Sequence, residues 1–128
     1  MDSLVCFVID SQILYLEQVL VEYNGVPILF VCKSEDKRYL CLCVSVNELK
    51  YYVVRISMED MFNLLHGKIS MRNAFLSQKT YWEIETGENA TQDSVLEKST
   101  KEINPKLLPD ENAYYELMSP EVAEYIKG

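Results

Sequence analysis

The sequence predicts an α+β fold: an antiparallel meander of about five strands, one main helix packed on one face, and a short C-terminal helix. Hydrophobic residues between Leu16 and Ile56 fall in four runs separated by short polar turns, with period-two alternation in all but the second. At Ser57 the period changes to that of a helix. The chain has 128 residues, 48% hydrophobic and 25% charged, which suits one ordinary globular core.

The first run, 16–23, alternates Val19, Val21 and Tyr23 with Gln18 and Glu22, as a half-buried strand does. Asn24-Gly25 follows, a hairpin turn in which both residues tolerate positive φ. The second run, 27–33, is apolar on both faces and reads as a central strand, with Pro27 at its start. Ser34-Glu35-Asp36-Lys37 is a polar turn. The third run, 38–46, puts Leu40, Leu42, Val44 and Val46 on one face and Tyr39, Cys41, Cys43 and Ser45 on the other. Asn47-Glu48-Leu49-Lys50 turns the chain into a fourth run, 51–57, with Tyr52, Val54 and Ile56 alternating against Val53 and Arg55.

Ser57 and Asp60 then form a capping-box arrangement for a helix at 58–66. Its stripe, Met58, Met61, Phe62 and Leu65, is expected to face the core, and Gly67 suits the left-handed cap. Ser70 opens a second short helical turn carrying Met71, Ala74 and Phe75. Lys79 to Ile84, with Tyr81 and Trp82, reads as a fifth strand.

The domain reading is an α+β core over 1–84 and an acidic segment over 85–128. Within that segment, 85–104 is polar and non-periodic and reads as a linker or mobile loop. Pro105 and Pro109 bracket an extended stretch, and Ser119-Pro120-Glu121 starts a last short helix. Residues 1–82 hold nine acids and eight bases, whereas 83–128 hold eleven acids and four bases. A formal charge of −8 argues against direct nucleic-acid binding, which needs a basic footprint. No apolar run approaches the length of a membrane span, and the N-terminus lacks a basic flank and a cleavage site. A cytoplasmic protein with no membrane partner is expected.

Four cysteines, at 6, 32, 41 and 43, match no zinc spacing. They are expected as free thiols holding no metal. His66 is the only histidine, and in the last turn before Gly67 it reads as a helix-terminal residue. The pairs Glu35-Asp36, Glu59-Asp60 and Asp110-Glu111 sit where turns and helix starts favour acids. No phosphate-binding or calcium-binding loop is present, and no cofactor is implied. Tyr39, Tyr51, Arg55, Tyr81 and Trp82 are the candidate partner-binding residues. They form either a recognition surface or the second, partly covered side of the sheet.

The stretch Val21 to Val31 (VEYNGVPILFV), then Arg38-Tyr39-Leu40, Tyr52-Val53-Val54 and Leu64 to Phe75 (LLHGKISMRNAF), resembles a group of small bacterial and phage-encoded proteins carrying a domain of unknown function. The resemblance spans roughly residues 14–84. It implies a bacterial or mobile-element source and no known activity. The leading functional expectation is a non-enzymatic protein-interaction or regulatory module that binds another protein. In one version its acidic surface inhibits a basic, nucleic-acid-binding partner, and in the other the acids are plain solvated surface. The rival is a small-molecule binder or small hydrolase with a pocket between sheet and helix.

Overall fold

The computed structural model describes residues 4–86, 92–116 and 120–127. Strands β1 (Val5–Ile9), β2 (Gln12–Tyr23), β3 (Val26–Ser34), β4 (Lys37–Ser45), β5 (Lys50–Ile56), β6 (Thr80–Thr86) and β7 (Gln92–Ser99) pair antiparallel in chain order. Between β5 and β6 lie two short helices, α1 (Met58–Leu65) and α2 (Met71–Leu76), and α3 spans Pro120–Lys127.

The expected sheet of about five strands with one main helix is therefore wrong. The sheet has seven strands and curls into a half-barrel, and the helices have eight, six and eight residues. The strands that sequence reading passed over are β1 and β7. β7 lies within the stretch expected to be a linker, and pairs with β6 from Thr80↔Ser99 to Thr86↔Gln92. Its only apolar residues, Val95 and Leu96, are adjacent, so no alternation marks it as a strand.

Turn chemistry explains the meander. Asn24 and Gly25 take φ of 50° and 78° between β2 and β3, as a primed hairpin turn requires. Asp10 and Ser11 do the same between β1 and β2, at 50° and 67°. The curl has a local cause as well. The twelve-residue β2 shifts register against β3 at Leu16/Gln18, Val19/Val21 and Val21/Glu22, and such bulges bend a strand and sharpen its twist.

Both faces of the sheet are apolar, and each has its own core. The concave face gathers Phe7, Ile9, Leu14, Phe30, Cys32, Tyr39, Cys41, Val53, Trp82 and Ile84. On the convex face Leu29, Val31, Leu40, Leu42, Tyr52, Val54 and Tyr81 meet the helices and the chain beyond β7. Met61, Leu64, Ala74, Phe75, Ile103, Leu108, Tyr115 and Val122 complete that layer. Arg72 fastens the C-terminal chain by donating Nε to Pro109 O and Nη2 to Pro105 O, both at 2.8 Å. Thr100 Oγ1 donates to Gln78 O (2.6 Å), and the Met71 amide donates to Ala113 O (3.0 Å).

Helix α1 is rotated relative to the expected stripe. Ser57 Oγ accepts the Asp60 amide at 3.1 Å, as the capping pattern predicts. The buried residues, however, are Met61 and Leu64, while Met58 is 62% and Phe62 50% exposed. Ser119, expected to cap α3, lies outside the described residues. Among the described residues no helix is long and apolar enough to cross a membrane.

Candidate functional site

The five aromatic and basic residues singled out in the sequence do not converge. Tyr39 and Trp82 meet edge to face on the concave side, 5.9 Å between ring centres. Tyr51 packs there against Phe7 and Phe30, at 5.2 and 6.1 Å. Tyr81 turns to the convex face and stacks edge-on against Tyr52 at 5.0 Å. Adjacent residues on a strand must diverge this way. Burial pushes the hydroxyls of Tyr39, Tyr51 and Tyr81 above the ordinary tyrosine range. Arg55 is exposed at the end of β5.

The cysteines line up on the concave face. Cys41 Sγ lies 3.8 Å from Cys32 Sγ on the neighbouring strand, and all four thiols are free. The hydrogen bond between Cys6 and Cys32, followed by burial, drives the Cys6 thiol far above its ordinary range. The bond with Cys41 does the same to Cys32. Thiols held protonated in this way are poor nucleophiles. Among the described residues no three metal-ligating side chains cluster. Cys6, Phe7, Leu16, Phe30 and Tyr51 border a cleft of 170 Å3, smaller than the several hundred Å3 typical of metabolite pockets.

A larger apolar groove runs between α1 and α3. Its volume is 300 Å3, and Met58, Met61, Phe62, Leu65, Tyr125 and Ile126 form it, with His66 at one end. The His66 ring leans on Phe62 at 4.1 Å, and Lys68 Nζ stands 4.9 Å from the centre of the Phe62 ring. The wall formed by α3 is fixed from behind. Tyr125 donates its hydroxyl to Glu17 Oε2 (2.7 Å), and Arg38 Nε lies 2.7 Å from the same oxygen. The Arg38 N–H is not aimed along a hydrogen-bond axis, so this contact is an ion pair by distance alone. Burial first, and then the Glu17 bond, push the Tyr125 hydroxyl well above its ordinary range.

A polar cleft of 400 Å3 opens at the N-terminal end of α1. Asp36, Lys37, Arg38, Arg55, Ser57 and Gln78 are among its lining residues, and Met58 belongs both to it and to the groove.

Sequence reading named Arg55 and weighed the Met58–Leu65 stripe as a binding face, but favoured core for it. Met58 and Phe62 carry the signature of a core stripe, and nothing local distinguishes an outward helix face from an inward one. Lys37 and Arg38 look like ordinary turn residues. Comparison with protein-family models, with curated proteins and with solved structures returned no match.

Proposed function

We propose that this chain is a non-enzymatic protein-interaction module that captures a short segment of another protein in the groove between α1 and α3. One observation carries the reading. Met58 and Phe62 stand 62% and 50% exposed on one helix, beside a groove whose lining, among the described residues, contains no carboxylate. Exposed aromatic and methionine side chains at a rigid groove are the usual anchors of helix or peptide docking. The groove's one titratable imidazole, His66, packs on Phe62 and has no nucleophile among the lining residues, which favours binding over catalysis. The acidic balance of the chain steers a partner with basic surroundings, although the groove itself selects for apolar anchors. Four free thiols fit a reducing compartment, so we place the module in the cytoplasm.

Selection from a displayed random-peptide library, with the Phe62→Glu variant as counter-target, tests the reading. Peptides that bind the wild type at least about tenfold tighter than the variant are expected, a difference of about 1.4 kcal/mol. Peptides that bind both chains equally, or none at all, would refute it.

A further inference from the structure

The groove does not stop at Met58, because that residue also borders the polar cleft formed by Lys37, Arg38, Arg55 and Ser57. A second link joins the two: Arg38 lines the cleft, and its partner Glu17 accepts the hydroxyl of Tyr125 in the groove wall. Charge sets the cleft apart from the rest of the chain. In a molecule of formal charge −8, three of the twelve bases line this one opening, against a single carboxylate, Asp36. Among the described residues neither Lys37 nor Arg55 is ion-paired. Arg38 is held by Glu17, whose Oε2 lies 2.7 Å from its Nε, so Lys37 and Arg55 carry the uncompensated charge of the cleft. Asp60 stands nearby and keeps its charge while its carboxylate accepts a hydrogen bond from Gln78 Nε2 at 3.1 Å. Ser57 and Met58 bring the first turn of α1 to the cleft, where Glu59 and Asp60 already offset its positive dipole end.

We propose that this cleft receives an anionic group, carboxylate or phosphate, carried by the same segment whose apolar side chains fill the groove. The inference rests on the docking reading for the identity of the segment, and on Lys37 and Arg55 for its charge. Arginine and lysine side chains at the mouth of an apolar groove recognise such a group by charge-assisted hydrogen bonds. The recognised motif is thus an apolar anchor with an acidic or phosphorylated residue beside it.

Two measurements test this. In the first, the full chain is titrated with inorganic phosphate, then with sodium acetate, against a matched chloride series, and amide and arginine Nε–H resonances are followed. Saturable shifts at Ser57, Met58, Glu59 and Arg55 are expected with phosphate and absent with chloride. They should vanish in the Lys37→Glu/Arg55→Glu double variant and persist in Phe62→Glu. Shifts indistinguishable from those in chloride would overturn the proposal. In the second, one groove-selected peptide is made with glutamate, phosphoserine or lysine beside its apolar anchor. Both acidic forms should bind about tenfold tighter than the lysine form, with that preference lost in the double variant. A phosphoserine form about tenfold tighter than glutamate identifies phosphate as the natural group, and parity identifies a carboxylate. A lysine form that binds as well as the others would overturn the proposal. Phosphate shifts without any selected peptide would leave the cleft standing and remove the docking reading.

Discussion

Two phenylalanines thirteen positions apart should respond very differently to truncation. Phe75 on α2 is fully buried against the convex face of the sheet, at 0% exposure. Phe75→Ala removes a large ring from a packed layer and should cost about 3–5 kcal/mol, transfer and cavity costs together. Phe62 is 50% exposed, so truncation forfeits about half of the roughly 1.5–3 kcal/mol that full burial supplies. Loss of the Lys68 contact adds about 0.5 kcal/mol, and the better helix propensity of alanine returns a similar amount. The net cost of Phe62→Ala is about 1 kcal/mol. Urea denaturation at neutral pH resolves the difference: with a slope of about 2 kcal/mol per M, the Phe75 midpoint falls by about 2 M and the Phe62 midpoint by about 0.5 M. Equal losses would show that Phe62 belongs to the core, and the groove would then not exist as described.

Three further outcomes follow from the polar contacts. Tyr125→Phe removes the 2.7 Å bond to Glu17, worth about 1–2 kcal/mol to the seating of α3, and should speed amide exchange within α3 about tenfold or more without touching β6 or β7. Burial, the largest cause in each case, raises the hydroxyls of Tyr39, Tyr51, Tyr52, Tyr81 and Tyr125, so the folded chain keeps them neutral where the unfolded chain ionises. Stability is therefore fully present below about pH 10 and lost as pH rises beyond it, and tyrosinate absorbance should show these groups ionising only on unfolding. Glu83 sits between Lys50 and Lys98 at 2.5 and 2.6 Å; burial opposes its charge, but those two hydrogen bonds outweigh it and hold the carboxyl below its ordinary range. Glu83→Gln should destabilise the chain at pH 7, and thermal melts of the two proteins should converge as pH falls below about 4, through the depressed value, where the wild-type carboxylate is itself protonated.

Strands β2 to β6 were legible because each shows either period-two alternation or, in β3, a short apolar run bounded by turns, Asn24-Gly25 being the clearest. β1 was not, since Val5 to Ile9 is apolar throughout and Asp10-Ser11 is weak turn chemistry that nevertheless takes positive φ. β7 depends on its neighbour: Val95 opposes the buried Ile84, and the ladder with β6 supplies an order that its own composition does not. The burial of both sheet faces also hid the site. Period-two alternation shows that two faces exist, but it does not tell which is concave, so Tyr39 and Trp82 looked as available as Arg55. Tyr81 and Trp82 needed no structure to separate, because strand neighbours always point apart. The meeting of Lys37, Arg55 and the start of α1 depends on where a turn and a strand end lie in space, which no local pattern encodes.

The docking account is tested most directly by the methyl resonances of the methionines in the presence of a selected peptide. With 13C-labelled methionine, the Met58 and Met61 methyls should move on binding, because both line the groove, while Met71, packed against the convex core, stays in place. Movement confined to Met71, with Met58 and Met61 still, would place the ligand elsewhere and contradict the account.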